Sequence, residues 1–120
     1  MRKRICVLED NDDIREIISI ILEDAHYEVF SFSTVESFTK RSYTILPDVF
    51  LLDVMLPDGN GLDVCNSLKS TTSTKNIPVV MMSANYSARD IRCNCKAEDF
   101  IPKPFDIDDF VARVAVQAKA

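Results

Sequence analysis

Apolar residues follow two different periods along this chain. Five short stretches are apolar or alternate between apolar and polar positions, as β-strands do, and they comprise residues 5–8, 27–32, 49–52, 77–82 and 99–101. Between these stretches, apolar residues recur three and four positions apart, as they do along one face of a helix. Strand and helix patterns alternate five times, which predicts an α/β fold with a parallel sheet and helices on both of its faces.

The third stretch predicts the centre of that sheet. Val49, Phe50, Leu51 and Leu52 form an unbroken apolar run, which is typical of a strand that is buried on both faces. Residues 27–32 alternate instead and predict an edge strand. Five strands fit the doubly wound order 2-1-3-4-5 of flavodoxin-like folds, in which ligands bind beyond the carboxyl ends of the strands.

Polar residues mark where the helices begin. A side-chain oxygen at such a position can accept a hydrogen bond from the first turn of the helix. Three helix starts each offer two candidate caps, and the pairs are Asn11 or Asp12, Ser33 or Thr34, and Asp106 or Asp108. The fourth helix is predicted over residues 87–95, where the apolar period is weak and Ile91 is the main apolar residue.

Length and composition predict a single soluble domain. The chain has 120 residues, of which 47% are hydrophobic, and we expect one domain over residues 1–120. The net charge of −5 argues against direct binding of nucleic acid, which depends on basic patches. No apolar stretch approaches the roughly 20 residues that cross a bilayer. The N-terminus passes straight into a strand without a signal segment, so we expect a cytoplasmic protein with no membrane partner.

The four cysteines are predicted to be reduced thiols without metal or redox function. Cys6 lies in a predicted buried strand and Cys65 on a predicted helix. Cys93 and Cys95 are separated by one residue rather than the two of thioredoxin-type and zinc pairs, and the single histidine, His26, is far away in sequence. Reduced thiols agree with a cytoplasmic location, where disulfides are rare.

Polar side chains follow the strands whose carboxyl ends meet in the predicted order. Glu9 and Asp10 follow strand one, Asp53 strand three, Ser83 strand four and Lys103 strand five. Three carboxylates in one place would repel each other, so the cluster predicts a divalent cation, and oxygen ligands without a nearby His or Cys favour Mg²⁺. A metal, an ammonium ion and a hydroxyl group around a carboxylate suit phosphoryl transfer, with a carboxylate as nucleophile.

Four motifs in register resemble a response-regulator receiver domain of bacterial two-component signalling. They are ICVLEDND, VFLLDVMLPDGNG, VVMMSA and DFIPKPF, and they lie near the usual spacings over nearly all of the chain. The resemblance implies that Asp53 accepts a phosphoryl group from a sensor histidine kinase in a Mg²⁺-dependent reaction. It also implies that Asp10, Asp53 and the backbone carbonyl group of Met55 bind the metal directly, while Glu9 acts mainly through water.

The same resemblance implies a switch. Ser83 and Lys103 are expected to contact the phosphoryl group, and Lys103 and Pro104 to be joined by a cis peptide bond. Ser83 would then move toward the phosphoryl group while Phe100 turns inward, which alters the surface formed by the fourth helix, the fifth strand and the fifth helix. The added charge, roughly −1.5 to −2, biases such a two-state element. A buried aromatic residue in a short strand is the plain alternative for Phe100.

Two residues are expected to set the lifetime of the phosphorylated state. By resemblance, the positions two beyond the acceptor and two beyond the hydroxyl residue border the path of attacking water. These positions are Met55 and Asn85. Methionine cannot orient water by a strong hydrogen bond, whereas asparagine can. We therefore expect slow to intermediate self-dephosphorylation.

A dimer is the further expectation for the switch surface. Receivers that drive winged-helix DNA-binding domains resemble this chain, and in them this surface can form a symmetric homodimer in the control of transcription. Four charged residues are expected near it, namely Glu98, Asp99, Asp109 and Arg113. An ordinary solvated surface is the alternative.

The residue pattern leaves other functions open. The chain can be a stand-alone receiver or a phosphorelay protein without an output domain of its own. An aspartyl-phosphate hydrolase would also use Asp53, but the run after it lacks the second acid of a D-x-D-x-T pattern. A nucleotide-binding module needs a glycine-rich or hydroxyl-rich loop after strand one, where this chain has acids. We expect no enzymatic activity beyond the domain's own phosphorylation and dephosphorylation.

Overall fold

The predicted sheet is present, with the predicted order of strands. The computed structural model describes residues 2–41 and 46–119, apart from the side chains of 88, 92 and 93. Its five parallel strands are β1 (Arg4–Leu8), β2 (Glu28–Phe32), β3 (Val49–Asp53), β4 (Val79–Ser83) and β5 (Asp99–Pro102). They lie in the order β2-β1-β3-β4-β5, so the doubly wound α/β fold is confirmed.

Four helices connect these strands in the described part of the chain, and a fifth follows the last strand. They are α1 (Asp12–Asp24), α2 (Val35–Thr39), α3 (Gly61–Ser70), α4 (Ala88–Asn94) and α5 (Ile107–Ala118). Among the candidate caps, the structure selects Asn11, Thr34 and Asp106, whose side chains accept hydrogen bonds from the first turn of their helices. Each selected residue has an extended backbone immediately before the first helical residue, the conformation that capping requires. None of these helices is long and apolar enough to cross a membrane.

The core has two layers because successive strand residues face opposite sides of the sheet. Phe50 and Leu52 of β3 face one layer, and Val49 and Leu51 face the other. Helices α2, α3 and α4 cover the first layer through residues that include Phe38, Leu62, Cys65 and Ile91. Helices α1 and α5 cover the second through Ile18, Leu22, Phe110 and Val114. Every residue of β3 is therefore buried, as its unbroken apolar run predicts.

The strand register brings the carboxyl ends together. Leu8 at the end of β1 lies beside Leu52 of β3, and Asp53 lies beside Met82 of β4. Ser83 in turn lies beside Pro102 of β5. The residues that follow these positions must share one edge of the sheet, and the chemistry predicted from the sequence is concentrated there.

Candidate functional site

Three carboxylates meet at this edge. One carboxylate oxygen of each of Glu9, Asp10 and Asp53 lies within 4.8 Å of the other two. Glu9 and Asp53 are buried, whereas Asp10 is exposed, so the cluster is open to solvent on one side. Burial and, to a lesser extent, the neighbouring Glu9 carboxylate raise the pKa of Asp53 to about 6. Asp53 is therefore mostly ionised at neutral pH, and it is more basic than an ordinary aspartate.

Lys103 supplies the positive charge of the cluster. Its ammonium group is ion-paired with Glu9 and lies 3.4 Å from Oδ2 of Asp53. This charge opposes the rise in the pKa of Asp53. The backbone N–H of Lys103 donates to the carbonyl oxygen of Ser83 at 3.0 Å, which ties the end of β5 to β4. The predicted cis peptide bond between Lys103 and Pro104 is present.

The donor chemistry of the cluster fits Mg²⁺. All three acids offer hard oxygen donors, and the open side at Asp10 suits an ion that keeps several water ligands. When ionised, the three carboxylates and the single ammonium ion leave a net charge of −2, which one divalent cation cancels. Glu9, Asp10 and Asp53 are thus the side chains that would hold the metal.

Arg15 holds the loop that carries two of these acids. Its Nη1 donates to the backbone carbonyl oxygen of Glu9 at 3.0 Å, and its Nη2 contacts Oδ1 of Asp12 at 2.6 Å. The Glu9 carboxylate also accepts from the backbone N–H of Asn11 at 3.1 Å. Sequence reasoning missed Arg15. Its spacing of three residues from Asp12 was the available signal for the ion pair, but nothing local indicated the bond to Glu9.

The loop after Asp53 is held by its own backbone. The N–H of Val54 donates to Oδ1 of Asp53 at 2.9 Å, and the N–H of Gly61 donates to the carbonyl oxygen of Val54 at 2.7 Å. A Cβ atom at Gly61 would stand 1.9 Å from the backbone oxygen of Asp53. The start of α3 therefore approaches the acceptor strand as closely as only glycine allows.

Asp58 in the same loop caps α2, a role that turn chemistry alone did not indicate. Its two carboxylate oxygens accept from the backbone N–H groups of Val35 at 2.8 Å and Glu36 at 3.0 Å. These hydrogen bonds lower the pKa of Asp58. The loop after Asp53 is thus hydrogen-bonded to the start of α2.

Hydrogen bonds join Ser83, Asn85 and Met55 in the segments that follow β3 and β4. Ser83 is buried at the end of β4, and its Oγ accepts from the backbone N–H of Asn85 at 3.1 Å. Nδ2 of Asn85 donates to Sδ of Met55 at 3.4 Å. The side chains two residues beyond Asp53 and Ser83 therefore touch each other. The structure leaves the roles of Ser83, Met55 and Asn85 as predictions.

Phe100 lies beside Met81 in the register of β4 and β5, half-buried against the core layer of α3 and α4. It also lines a cavity between α4, β5 and α5, together with Tyr86, Ile91 and Arg113. There is thus space beside the ring on its outer side. The inward turn predicted for Phe100 stays a prediction.

The four residues predicted for a dimer surface form ion pairs within the domain. Arg113 lies 3.1 Å from Oδ1 of Asp99 and 2.9 Å from Oδ2 of Asp109. Glu98 accepts from Nζ of Lys69 at 2.8 Å and from the backbone N–H of Val79 at 2.7 Å. Asp99, Asp109 and Arg113 thus form one charged group at β5 and α5, whereas Glu98 is held toward α3.

The strand order and the cluster of Glu9, Asp10 and Asp53 define a flavodoxin-like α/β protein with a candidate metal-binding site at the carboxyl edge of its sheet. Residues 5–115 match the family described as the response regulator receiver domain. The chain belongs to this family.

Individual relatives agree with this assignment. The chain is 36% identical over 116 residues to the phosphate regulon transcriptional regulatory protein PhoB of Escherichia coli, covering 95% of this chain and 51% of PhoB. It is 31% identical over 121 residues to the DNA-binding response regulator MtrA of Mycolicibacterium smegmatis, covering 99% of this chain and 52% of MtrA. The BeF3-activated receiver domain of DrrB, a Thermotoga maritima protein, superposes over the whole of both chains with a TM-score of 0.87 and 27% identity. The chain spans about half the length of these curated relatives.

Proposed function

We propose that this domain accepts a phosphoryl group on Asp53 from a sensor histidine kinase, in a Mg²⁺-dependent reaction, and thereby controls an output. The observation that carries the proposal is the meeting of Asp53 with Glu9, Asp10 and Lys103 at the carboxyl edge of the sheet. Mg²⁺ bound to the acids would neutralise charge on the phosphoryl oxygens. Membership of the receiver family and the likeness to PhoB support the proposal.

The side chains of this domain have distinct parts in the transfer. The ionised Asp53 carboxylate attacks phosphorus, forming a P–O bond as the P–N bond to the donor histidine breaks and its electron pair returns to the imidazole. Lys103, already beside Asp53, is placed to stabilise negative charge on the phosphoryl oxygens. Ser83 offers its hydroxyl proton from the neighbouring strand.

We propose that the output depends on Ser83 and Phe100. Movement of Ser83 toward the phosphoryl group would break its hydrogen bond with the N–H of Asn85 and pull the start of the β4–α4 connection inward. The half-buried ring of Phe100 would then move further toward the core. This change would be read on the surface formed by α4, β5 and α5.

Control of transcription through an attached domain is the proposed output, because PhoB and MtrA are named as transcriptional or DNA-binding regulators and are about twice as long as this chain. A stand-alone receiver or a phosphorelay protein is the second candidate. We propose no enzymatic activity beyond the domain's own phosphorylation and dephosphorylation, and a cytoplasmic location. The described cysteines Cys6, Cys65 and Cys95, which are free thiols, support that location. The side chain of Cys93 lies outside the described residues.

The experiment that tests the proposal is intact mass spectrometry after incubation with acetyl phosphate and Mg²⁺. Wild-type protein is expected to gain one phosphoryl mass, and Asp53→Asn is expected to gain none, because the amide cannot act as the nucleophile. Asp48→Asn is the matched control, since Asp48 lies just before the same strand and accepts from Arg4 N–H instead of facing the cluster. A phosphoryl gain in Asp53→Asn equal to that of wild type would refute the assignment of the acceptor.

We further propose that phosphorylation favours a homodimer through the charged group of Asp99, Asp109 and Arg113. Arg113 can exchange its partners within the domain for the same acids of a second copy, because its side chain is 38% exposed. Light scattering after size exclusion is expected to show a larger mass with acetyl phosphate and Mg²⁺ than without. Arg113→Ala is expected to stay monomeric under both conditions. A phosphorylated wild type that remains monomeric would contradict the dimer while leaving the phosphoacceptor role intact.

A further inference from the structure

Met55 is an exposed methionine two residues beyond Asp53. Its exposure is 57%, whereas Met81 and Met82 of β4 are completely buried. Among the described residues, Met55 is therefore the methionine that a dissolved oxidant reaches. The cysteines described, Cys6, Cys65 and Cys95, are all buried, and burial raises the pKa of Cys65 to about 12, which suppresses the reactive thiolate.

The position of Met55 couples its chemistry to that of the site. Asp53 ends β3 beside Met82 of β4, so the segments that leave these two strands run side by side. The hydrogen bond from Nδ2 of Asn85 to Sδ of Met55, at 3.4 Å, joins the two segments beyond the strand ends. A change at this sulfur atom therefore alters the contact between Met55 and Asn85, which lie two residues beyond Asp53 and Ser83 respectively.

Oxidation turns this side chain from a weak hydrogen-bond acceptor into a strong one. A peroxide oxidises the thioether by two electrons. The O–O bond breaks, one oxygen atom joins the sulfur to give a sulfoxide, and the other leaves as water or an alcohol. A thioether is a weak acceptor, whereas a sulfoxide oxygen is a strong and polar one. It can accept a hydrogen bond from a water molecule and so orient that water for attack on the phosphoryl group.

We propose that Met55 is a peroxide-sensitive modification site whose oxidation to the sulfoxide shortens the lifetime of phosphorylated Asp53. This inference rests on the proposed function. The modification is reversible, since sulfoxide reductases restore methionine. A peroxide would thus switch off the phosphorylated state without acting on the kinase.

The test compares wild type with two variants at this position. Each protein is treated with hydrogen peroxide, freed of peroxide, phosphorylated with acetyl phosphate and Mg²⁺, and followed by intact mass as the phosphoryl group is lost. Peptide mapping locates the added oxygen. Oxidised wild type is expected to lose its phosphoryl group about 3- to 10-fold faster than untreated wild type, less than the roughly 10²–10⁴-fold of a positioned general base, because the sulfoxide only orients water.

The variants separate Met55 from every other oxidised residue. Met55→Leu, which keeps the size but cannot form a sulfoxide, is expected to decay at the same rate with and without peroxide. Met55→Gln, which presents a polar oxygen without oxidation, is expected to decay as fast as oxidised wild type.

Three results overturn the inference: no oxygen at Met55, an oxygen there with an unchanged decay rate, or equal acceleration by peroxide in Met55→Leu. Failure of the proposed function is seen separately, as the absence of any phosphoryl gain in untreated wild type.

Discussion

Lys103→Met is expected to slow phosphorylation by acetyl phosphate by about 10²–10³-fold, the loss typical when one group that stabilises developing charge is removed. The ammonium group is ion-paired with Glu9 and lies 3.4 Å from Asp53. In the metal-free domain, the Glu9 and Asp53 carboxylates then face each other without the ammonium group, and the pKa of Asp53 rises further. In the Mg²⁺-dependent reaction, the phosphoryl oxygens lose their positive neighbour, and this loss slows the transfer.

The same substitution is expected to destabilise the metal-free domain. Removing one partner of a buried ion pair costs about 3–5 kcal/mol, and the lower end applies here because Asp53 can take up a proton. Urea denaturation without Mg²⁺ measures this loss, and the rate of phosphoryl gain measures the catalytic effect.

Lys69→Met is the matched control for both measurements. The Lys69 side chain is also nearly buried, 9% exposed, and its ammonium group is paired with Glu98 at 2.8 Å in the last turn of α3. It should lose stability but keep the phosphorylation rate of wild type. A Lys103→Met rate within threefold of wild type, by contrast, would mean that Lys103 serves only to hold the charges of the folded domain together.

Gly61→Ala is expected to destabilise the domain by about 3 kcal/mol, the upper part of the range for overpacking a closed site. The new Cβ atom would stand 1.9 Å from the backbone oxygen and 2.8 Å from the backbone carbon of Asp53. Backbone atoms cannot rotate away as a side chain can, so β3 and α3 must separate. Alanine is favoured over glycine in helices by only roughly 0.5–1 kcal/mol. The steric cost is larger, so the free energy of unfolding is expected to fall.

The displacement should also reach the chemistry, because the carbonyl group that is pushed belongs to the acceptor itself. Thermal unfolding is expected to show a clear drop in Tm, and the folded fraction of Gly61→Ala is expected to gain its phosphoryl group more slowly than wild type.

Gly59→Ala provides the comparison, since these are the two glycines of the chain. There the nearest atom is Cγ2 of Val35 at 3.0 Å, the end of a side chain that can adjust. A loss of stability as large as that of Gly61→Ala would show that flexibility of the loop, rather than the approach to Asp53, explains the need for glycine. Neither glycine has a positive φ angle, so conformational freedom alone does not account for them.

Local patterns predicted most of the architecture because the two periods of apolar residues are strong. The unbroken run of β3 and the alternating run of β2 at the edge each specify one element and its environment. The sequence limited each of three helix caps to a pair of candidates. The structure shows which member of each pair is the cap, for example Asn11 rather than Asp12. Both can accept the same type of hydrogen bond, so their order along the chain could not decide between them.

The residues of the site also divide into those that the sequence predicts and those whose contacts depend on tertiary packing. Glu9, Asp10, Asp53, Ser83 and Lys103 could be selected from the sequence because each follows a predicted strand, and parallel strands end at one edge. Three contacts could not be predicted from the sequence. They are the hydrogen bond from Arg15 to the Glu9 carbonyl group, the hydrogen bonds that Asp58 accepts at the start of α2, and the contact between Met55 and Asn85. Each joins groups whose separation depends on how loops pack beyond the strand ends, and no local periodicity encodes that packing.

The periods of apolar residues and the positions of polar residues were enough to predict the fold class, the strand order and the set of charged residues at one edge of the sheet. Three features became known only from the folded chain: Lys103 lies between Glu9 and Asp53, Gly61 approaches Asp53 too closely to carry a side chain, and Arg113 pairs with Asp99 and Asp109 within the domain. The difference between the two groups of features is one of distance. Periodicity specifies which face of an element is buried, whereas ion pairs and close backbone contacts depend on differences of about 1 Å between segments far apart in the chain.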